Sequence, residues 1–306
     1  MKKILFATTA LVATAGVAAA DVTFGGYARW GMEYNDARAD EKTRMESRFR
    51  LIVTASTETD SGLTFGAQTR MQLDENESSY DTLGGGTGGF NNVRFWVATG
   101  GLEVSMGHVQ GAFEYMPGIY DGSIGLTGLG YANIVDNYGR DTYTSGGQGR
   151  QGVDIKYSMG AFSAWLSHSY AQTTYGVNGA TERTALWLAY SAGNYTVAVA
   201  GQDSDVVGDT EWALTAAGTF GPATVTLQAA DNDGDMKYGL ALGYKVGSAT
   251  TINAYVNHDE ALNLATGGEN YGLGVVHNLG GGASIRGGVV SVNEVTRADL
   301  GVQFSF

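Results

Sequence analysis

Between residues 22 and 34, VTFGGYARWGMEY places Val22, Phe24, Trp30, Met32 and Tyr34 on one face of an extended chain and Thr23, Tyr27, Arg29 and Glu33 on the other. A period of two is the mark of a strand with unlike faces, because successive side chains point to opposite sides. TRMESRFRLIV at 43–53 divides the same way, with Met45, Phe49, Leu51 and Val53 opposing Arg44, Glu46, Arg48 and Arg50. At 63–73, Leu63, Phe65, Ala67, Met71 and Leu73 oppose Gln68, Arg70 and Gln72, and at the C-terminus Leu300, Val302, Phe304 and Phe306 oppose Asp299, Gln303 and Ser305.

This template predicts sixteen strands, near 22–34, 43–53, 62–73, 91–99, 101–108, 151–159, 161–171, 183–191, 194–203, 210–220, 222–231, 235–246, 249–258, 269–278, 282–292 and 296–306. Connections after odd-numbered strands are mostly longer and polar, as in 35–41 and 74–90; those after even-numbered strands are tight, as in TGG, SAGN and FGPA. The even count and the long/short alternation predict an all-β fold, a 16-stranded antiparallel transmembrane β-barrel. Beyond the first twenty residues no long amphipathic helix pattern occurs, and no apolar run is long enough to cross a bilayer as a helix. Both prolines, Pro117 and Pro222, fall in connections, where the missing N–H costs no ladder bond.

Aromatic positions separate this barrel from a soluble sandwich. Tyr157, Phe162, Tyr190, Tyr195, Phe220, Tyr244 and Phe304 sit near the short-turn ends of strands, and Tyr34, Tyr170, Trp212, Tyr238 and Tyr271 near the long-loop ends. Two belts at strand ends match the two membrane interfaces, whereas a sandwich buries its aromatics toward strand centres. The polar face shared by every strand then needs water, and sixteen strands enclose an aqueous lumen.

Composition adds a second line of argument. Glycine accounts for 47 of 306 residues, about twice the usual share of about 7%, which suits many tight turns. There is no cysteine, so neither disulfides nor thiolate metal sites contribute. Residues 1–20 read as a secretory leader: Lys2 and Lys3, an apolar stretch, then Ala18, Ala19 and Ala20 before an expected cut at Asp21. Its removal takes the 18 basic residues to 16 against 31 acidic ones, and the formal charge from −13 to −15. So acidic a chain excludes nucleic acid as a partner.

The opening DVTFGGYARWGMEY, the sixteen alternating segments, one very long connection after the fifth strand and the terminal Phe306 together resemble the general porins of Gram-negative bacteria, alpha-proteobacterial type. The resemblance covers residues 21–306. It implies a homotrimer in the outer membrane, in contact with its lipid and lipopolysaccharide, passing small hydrophilic solutes and ions by passive diffusion, with no enzymatic chemistry. It further implies a third external loop folded inward to narrow the pore, and a C-terminal aromatic read by the insertion machinery. The third long connection here is 109–150, a length that asks for a functional reason.

That connection carries Glu114, Asp121, Asp136 and Asp141, with Arg140 and Arg150 near its end. Across from it the polar faces of four adjacent strands carry Arg29, Arg44, Arg48, Arg50, Arg70 and Arg94. A turn centred near residue 60 sets Arg50 opposite Arg70; the outer loops set Arg29 near Arg48 and Arg70 near Arg94. Like charges so placed need water or counter-charges, and a dry core would reject them. A water-filled pore with arginines on one wall and loop carboxylates on the other holds a transverse field, which orients polar solutes and resists apolar ones. The acidic surface enriches cations at the mouth while the arginines attract anions, and the balance leans to cations.

Other motifs carry less. Gly84–Gly89 matches G-x-G-x-x-G without the strand-turn-helix context of a dinucleotide site. His108, His168, His258 and His277 are too scattered for a metal motif. DNDGD at 231–235 offers Asp231, Asp233 and Asp235 like the start of a calcium loop, but Met236 and Leu242 stand where the loop's glycine and glutamate belong, so a tight external turn is expected. No cofactor is required; calcium among the crowded loop acids is the one ion that charge density admits. Two alternatives to a general diffusion channel stay open. One is a solute-specific channel, with Trp96, Trp165 and Trp187 on the lumen face as pieces of a track; the other is a barrel-scaffolded enzyme or adhesin.

Overall fold

The computed structural model describes residues 20–75, 89–135, 141, 143, 145, 150–170, 182–205, 211–262 and 268–306. The expected leader, apart from Ala20, lies outside the described residues, as do Asp136, Arg140 and the start of the Gly84–Gly89 motif.

Sixteen strands form: β1 Asp21–Asn35, β2 Thr43–Glu58, β3 Thr64–Glu75, β4 Arg94–Thr99, β5 Leu102–His108, β6 Gln151–Met159, β7 Phe162–Ser169, β8 Arg183–Ala192, β9 Tyr195–Ser204, β10 Glu211–Phe220, β11 Ala223–Asn232, β12 Asp235–Val246, β13 Thr250–Asp259, β14 Glu269–Gly280, β15 Ala283–Val292 and β16 Val295–Ser305. Each pairs antiparallel with its sequence neighbours, and β16 returns to β1, closing the barrel. The alternation read from sequence sets the two faces. In β8, Leu186, Leu188 and Tyr190 are exposed outward while Ala185, Trp187 and Ala189 between them are buried. The outward set repeats around the ring as an apolar band, as a membrane-spanning barrel requires.

Closure occurs at the last residue. The amide of Gly26 donates to the carbonyl of Phe306 at 3.0 Å, the amide of Phe306 donates back at 3.1 Å, and the Phe306 ring stacks on Phe49 at 5.7 Å. Only glycine fits at position 26, where a Cβ would lie 2.0 Å from the carbonyl oxygen of Arg50.

Two pairings differ from the sequence expectation. Arg29 does face Arg48, but Arg50 lies opposite Gln72, and Arg70 opposite Ile52. The amide of Thr59 bonds the carbonyl of Leu63 at 2.9 Å, so the turn centres on residue 61 rather than 60 and every partner moves by two. Arg94 lies opposite Gln68 rather than Arg70, and the β3–β4 ladder ends at that pair, covering only Thr64–Gln68 of β3. Beyond it, Asn91 replaces the ladder: its amide donates to the carbonyl of Arg70 at 2.9 Å, and its side-chain oxygen accepts from the amide of Arg70 at 2.8 Å.

The rule of longer connections after odd-numbered strands has two exceptions. β11–β12 and β15–β16 turn through two residues each, Asp233–Gly234 and Asn293–Glu294, all four with positive φ, as the twist of a tight hairpin demands. The DNDGD stretch is thus a turn as expected, and the Asp231 carboxylate accepts from the amide of Gly234 at 2.8 Å.

Residues 109–135 follow the wall in chain order. The amide of Gln110 donates to Asp154 of β6 at 2.8 Å, and that of Ala112 to Ser167 of β7 at 2.8 Å. Thr215 of β10 donates to the carbonyl of Pro117 at 2.6 Å, and Gln228 and Thr226 of β11 to Gly118 at 2.7 Å and Asp121 at 2.5 Å. Asn253 of β13 reaches Ser123; then Asp299 of β16 and Arg29 of β1 hold Leu126. The side chains this segment meets, among them Asp154, Ser167, Thr215 and Asp299, alternate with the outward Ile155, Leu166, Leu214 and Leu300, so it lies against the inner face. Its apolar residues fill two clusters against the inner face, one around Phe113, Met116, Ile119, Trp165 and Trp187, the other around Ile124, Leu129, Ala241, Tyr255 and Val290.

Candidate pore wall

The segment covers the inner wall from β6 round to β16, so the least covered stretch is β1–β5, where the predicted arginines stand. Their placement follows from strand parity: Tyr27, Arg29 and Glu33 share the inner face of β1, and Arg44, Glu46, Arg48 and Arg50 that of β2.

Each arginine has a distinct set of partners. Arg29 donates from Nε to Glu46 at 2.8 Å and from a terminal nitrogen to the carbonyl of Leu126 at 3.2 Å. Arg48 pairs with Asp74 and donates to the Tyr27 hydroxyl at 3.2 Å. Arg94 pairs with Glu103, donates to Ser105 at 3.0 Å and lies over the Trp96 ring at 5.0 Å. Arg44 stands opposite Glu33 in the β1–β2 register.

Arg50 and Arg70 are different. Arg50 donates from Nε to Gln72 at 2.6 Å and lies over Tyr27 at 5.0 Å. Arg70 donates to the carbonyl of Tyr143 and lies over the Tyr143 ring at 4.9 Å, and its buried Nε has no acceptor among the described residues. Neither has a carboxylate partner among the described residues. These two guanidinium groups therefore contribute net positive charge, whereas Arg29, Arg48 and Arg94 are each matched by an acid.

The loop acids are occupied on the segment's own side. Glu114 accepts from the Tyr120 hydroxyl at 2.7 Å, and Asp121 from Thr226. Asp141 is nearly buried between Arg150 at 3.3 Å and Arg183 at 3.2 Å. Asp136 lies outside the described residues. The counter-charges that reach the arginines come from the strands: Glu46, Asp74 and Glu103. Sequence parity places Glu46 on the arginine face without assigning it a role there, and sequence reasoning passed over Asp74 and Glu103, although their parity puts them on the same face. It also passed over Lys156, which donates to Glu103 at 3.0 Å and to Gln110 at 2.7 Å, and over Arg286 of β15, which donates to Ser284 at 3.0 Å.

The tryptophans have other work than a solute track. Trp165 is 5% exposed and Trp187 7%. Trp165 stacks on Tyr115 at 4.8 Å and 20°, donates to Asp154 at 3.3 Å and carries the Lys156 ammonium 3.8 Å above its ring. They anchor the segment. Trp96 covers Gly66, where a Cβ would meet its ring at 2.0 Å.

Two tyrosines of the segment share the arginine environment. Burial pushes the Tyr115 phenol above its ordinary value, against the pull of Arg70 and Arg94. Burial does the same at Tyr143, whose hydroxyl donates to the carbonyl of Gln68 at 2.9 Å. Both rings are neutral at physiological pH.

Among the described residues, no group of three or more His, Cys, Asp or Glu is placed to hold a metal ion. The weak calcium candidates Asp231, Asp233 and Asp235 sit at one hairpin.

Comparison with known proteins agrees with this architecture. A family model described as Gram-negative porin matches residues 7–296. A protein named Porin from Fuscovulum blasticum is 31% identical over 301 residues, covering 94% of this chain and 100% of that protein. A second, named Porin, from Rhodobacter capsulatus, is 31% identical over 326 residues with the same coverage. A solved mutant of Rh. blastica porin superimposes with a TM-score of 0.83 at 28% identity, covering 94% of this chain and 100% of that one.

Proposed function

The chain belongs to the Gram-negative porin family, and we propose that its channel is narrowed between residues 109–150 and an arginine wall on β1–β4. It is an outer-membrane channel protein, with the fold of a conduit rather than of an enzyme. Small hydrophilic solutes and ions pass through by passive diffusion, and the narrowest point lies where Arg29, Arg44, Arg48, Arg50, Arg70 and Arg94 face the segment. The observation that carries this reading is the chain-ordered path of residues 110–126 along β6, β7, β10, β11, β13 and β16 as far as Arg29 of β1, which leaves the inner faces of β2–β4 as the less covered side of the lumen.

A transverse field follows, with a different origin from the one the sequence suggested. Its positive pole is Arg50 and Arg70, and the nearby strand acids are already matched by other arginines. A solute that crosses must exchange ordered water for these charges, which favours polar molecules and resists apolar ones.

The family relationship supports three further features of this reading: a trimer of identical chains, an outer surface in contact with lipopolysaccharide, and a leader at 1–20 removed during export. Single-channel recording of the purified protein in a planar bilayer tests the core of it. Ohmic steps and a reversal potential that responds to a salt gradient are expected; absence of conductance refutes the channel.

A further inference from the structure

Beside residues 121–123 of the inner segment, the wall of β11–β13 has a polar hollow of about 200 Å³, room for about six waters at about 30 Å³ each. Strand parity makes it. Leu227 of β11, Leu242 and Tyr244 of β12 and Ile252 of β13 are exposed outward, so the residues between them face the lumen. In the register, Thr226 stands beside Ala241, Gly243 between Thr224 and Asn253, and Lys245 beside Thr251. Small residues at 241 and 243 lower the floor, and hydroxyls and an amide surround it.

The segment closes one end. Asp121 accepts from the Thr226 hydroxyl at 2.5 Å, and Asn253 donates to the carbonyl of Ser123 at 3.5 Å. Between these contacts Gly122, with φ of 75°, comes so near the wall that a Cβ there would lie 2.7 Å from that of Ala241. The Asp121 carboxylate is thereby fixed at the rim.

Two opposite charges, Asp121 and Lys245, line this one hollow. The Asp121 carboxylate bonds a neutral hydroxyl, Lys245 is exposed, and neither has an ionic partner among the described residues. They stand at its two ends. Asp121 is held at the level of Ala241, and Lys245 lies four residues further along β12, about 13 Å at a rise of about 3.3 Å per residue. Gly243 between them carries no side chain to obstruct the lysine stem. A singly charged ion satisfies one of these groups and leaves the other. A neutral polyol reaches the hydroxyls but makes no charge-assisted bond, which is about twice as strong as a neutral one. A solute with both charges, set apart by a short chain, satisfies both.

We propose that Asp121 and Lys245 form a binding site for small solutes that carry an ammonium group at one end and a carboxylate at the other. Asp121 takes the ammonium, Lys245 the carboxylate, and Asn253 and Thr251 face the chain between. The site goes beyond the channel reading: it lies on the far side of the ring from β3 and draws on none of the arginines. No bond is made or broken in it.

4-Aminobutyrate, butyrate and butylammonium share one chain length and differ in which charges they carry. Ligand-observed NMR on the full mature chain in a non-ionic detergent at pH 7 measures all three. 4-Aminobutyrate is expected to bind saturably, and each singly charged analogue about 10-fold more weakly, the loss of one charge-assisted bond. Asp121→Asn keeps an oxygen for Thr226 and should weaken 4-aminobutyrate to the level of butyrate. Lys245→Gln, at an exposed position, should weaken it to the level of butylammonium. Equal affinity for the three probes overturns the site, as does 4-aminobutyrate binding that survives both substitutions. Binding of 1,4-butanediol as tight as that of 4-aminobutyrate assigns the hollow to its hydroxyls and overturns it too. A protein that conducts in bilayers but does not bind 4-aminobutyrate overturns the site alone, and one that binds it without conducting overturns the channel reading alone.

Discussion

Asp299 on the last strand accepts hydrogen bonds from the backbone amides of Leu126 at 2.9 Å and Thr127 at 2.7 Å, and a third from the Thr127 hydroxyl at 2.8 Å. One carboxylate thereby holds the far end of the inner segment. Charge-assisted bonds of this kind contribute about 1.5–3 kcal/mol each. Asp299→Ala is expected to leave the barrel ladder intact, since only the side chain is lost, but to release residues 124–129. Open-channel noise should rise, and this stretch should become accessible to protease. Noise and cleavage identical to those of the unaltered protein would refute the tether.

Arg50 and Arg70 supply the net positive charge of the wall, so Arg50→Ala with Arg70→Ala should shift the reversal potential toward cations. The shift should be larger at 0.1 M than at 1 M salt, because the screening length falls from about 10 Å to about 3 Å. A reversal potential that does not move at either salt concentration counts against their position in the pore.

Trp165 joins the segment to the barrel through Tyr115, Trp187 and Asp154. Trp165→Ala removes a buried aromatic, a change that costs about 3–5 kcal/mol where the site cannot collapse. The neighbouring Leu166 faces outward, and Leu166→Ala should leave the segment in place. Thermal denaturation in detergent, read beside single-channel conductance, distinguishes the two: the tryptophan variant should unfold earlier and conduct more. Equal behaviour would show that the segment does not depend on this anchor.

Tyr143 gives a pH dependence. Burial raises its phenol above the ordinary value of 10.0, so the neutral ring, which donates to Gln68, is favoured in the folded protein. A raised folded value means that this contribution is fully present below about pH 10 and is lost as pH rises through the folded value. Conductance noise is therefore expected to increase at strongly alkaline pH, with phenolate absorbance appearing late. Tyr143→Phe should diminish the late phenolate absorbance, to which Tyr115 also contributes, and show the noisier channel already at neutral pH. If the late absorbance is undiminished in that variant, its assignment to Tyr143 fails.

Much of this architecture is legible from residue parity. All sixteen strands follow from the two-residue period, because a membrane outside and water inside impose opposite chemistry on alternate positions. Register was harder. A turn centred on residue 61 instead of 60 moved Arg50 from Arg70 to Gln72, a shift that hydrophobic pattern cannot sense because a slip of two preserves the faces. The partners of the arginines were hidden for a related reason. Glu46 and Asp74 stood on the same face as Arg29 and Arg48 in the sequence, but pairing charges across strands needs the register first. The role of the tryptophans was out of reach altogether, since it depends on where a segment distant in sequence comes to rest.

The hydrogen bonds between Gly26 and Phe306 have a bearing on how the molecule comes into being. A sheet that closes through its first and last strands keeps two unpaired edges until its final residues are available. Every earlier intermediate then offers bare amides and carbonyls beside an apolar face, the combination most prone to pairing with another chain. Closure also demands contacts between opposite ends of the chain, which are slow to find unaided. The same bonds that seal the finished wall therefore make the unfinished chain dependent on escort and on a lipid surface in which to complete its circle.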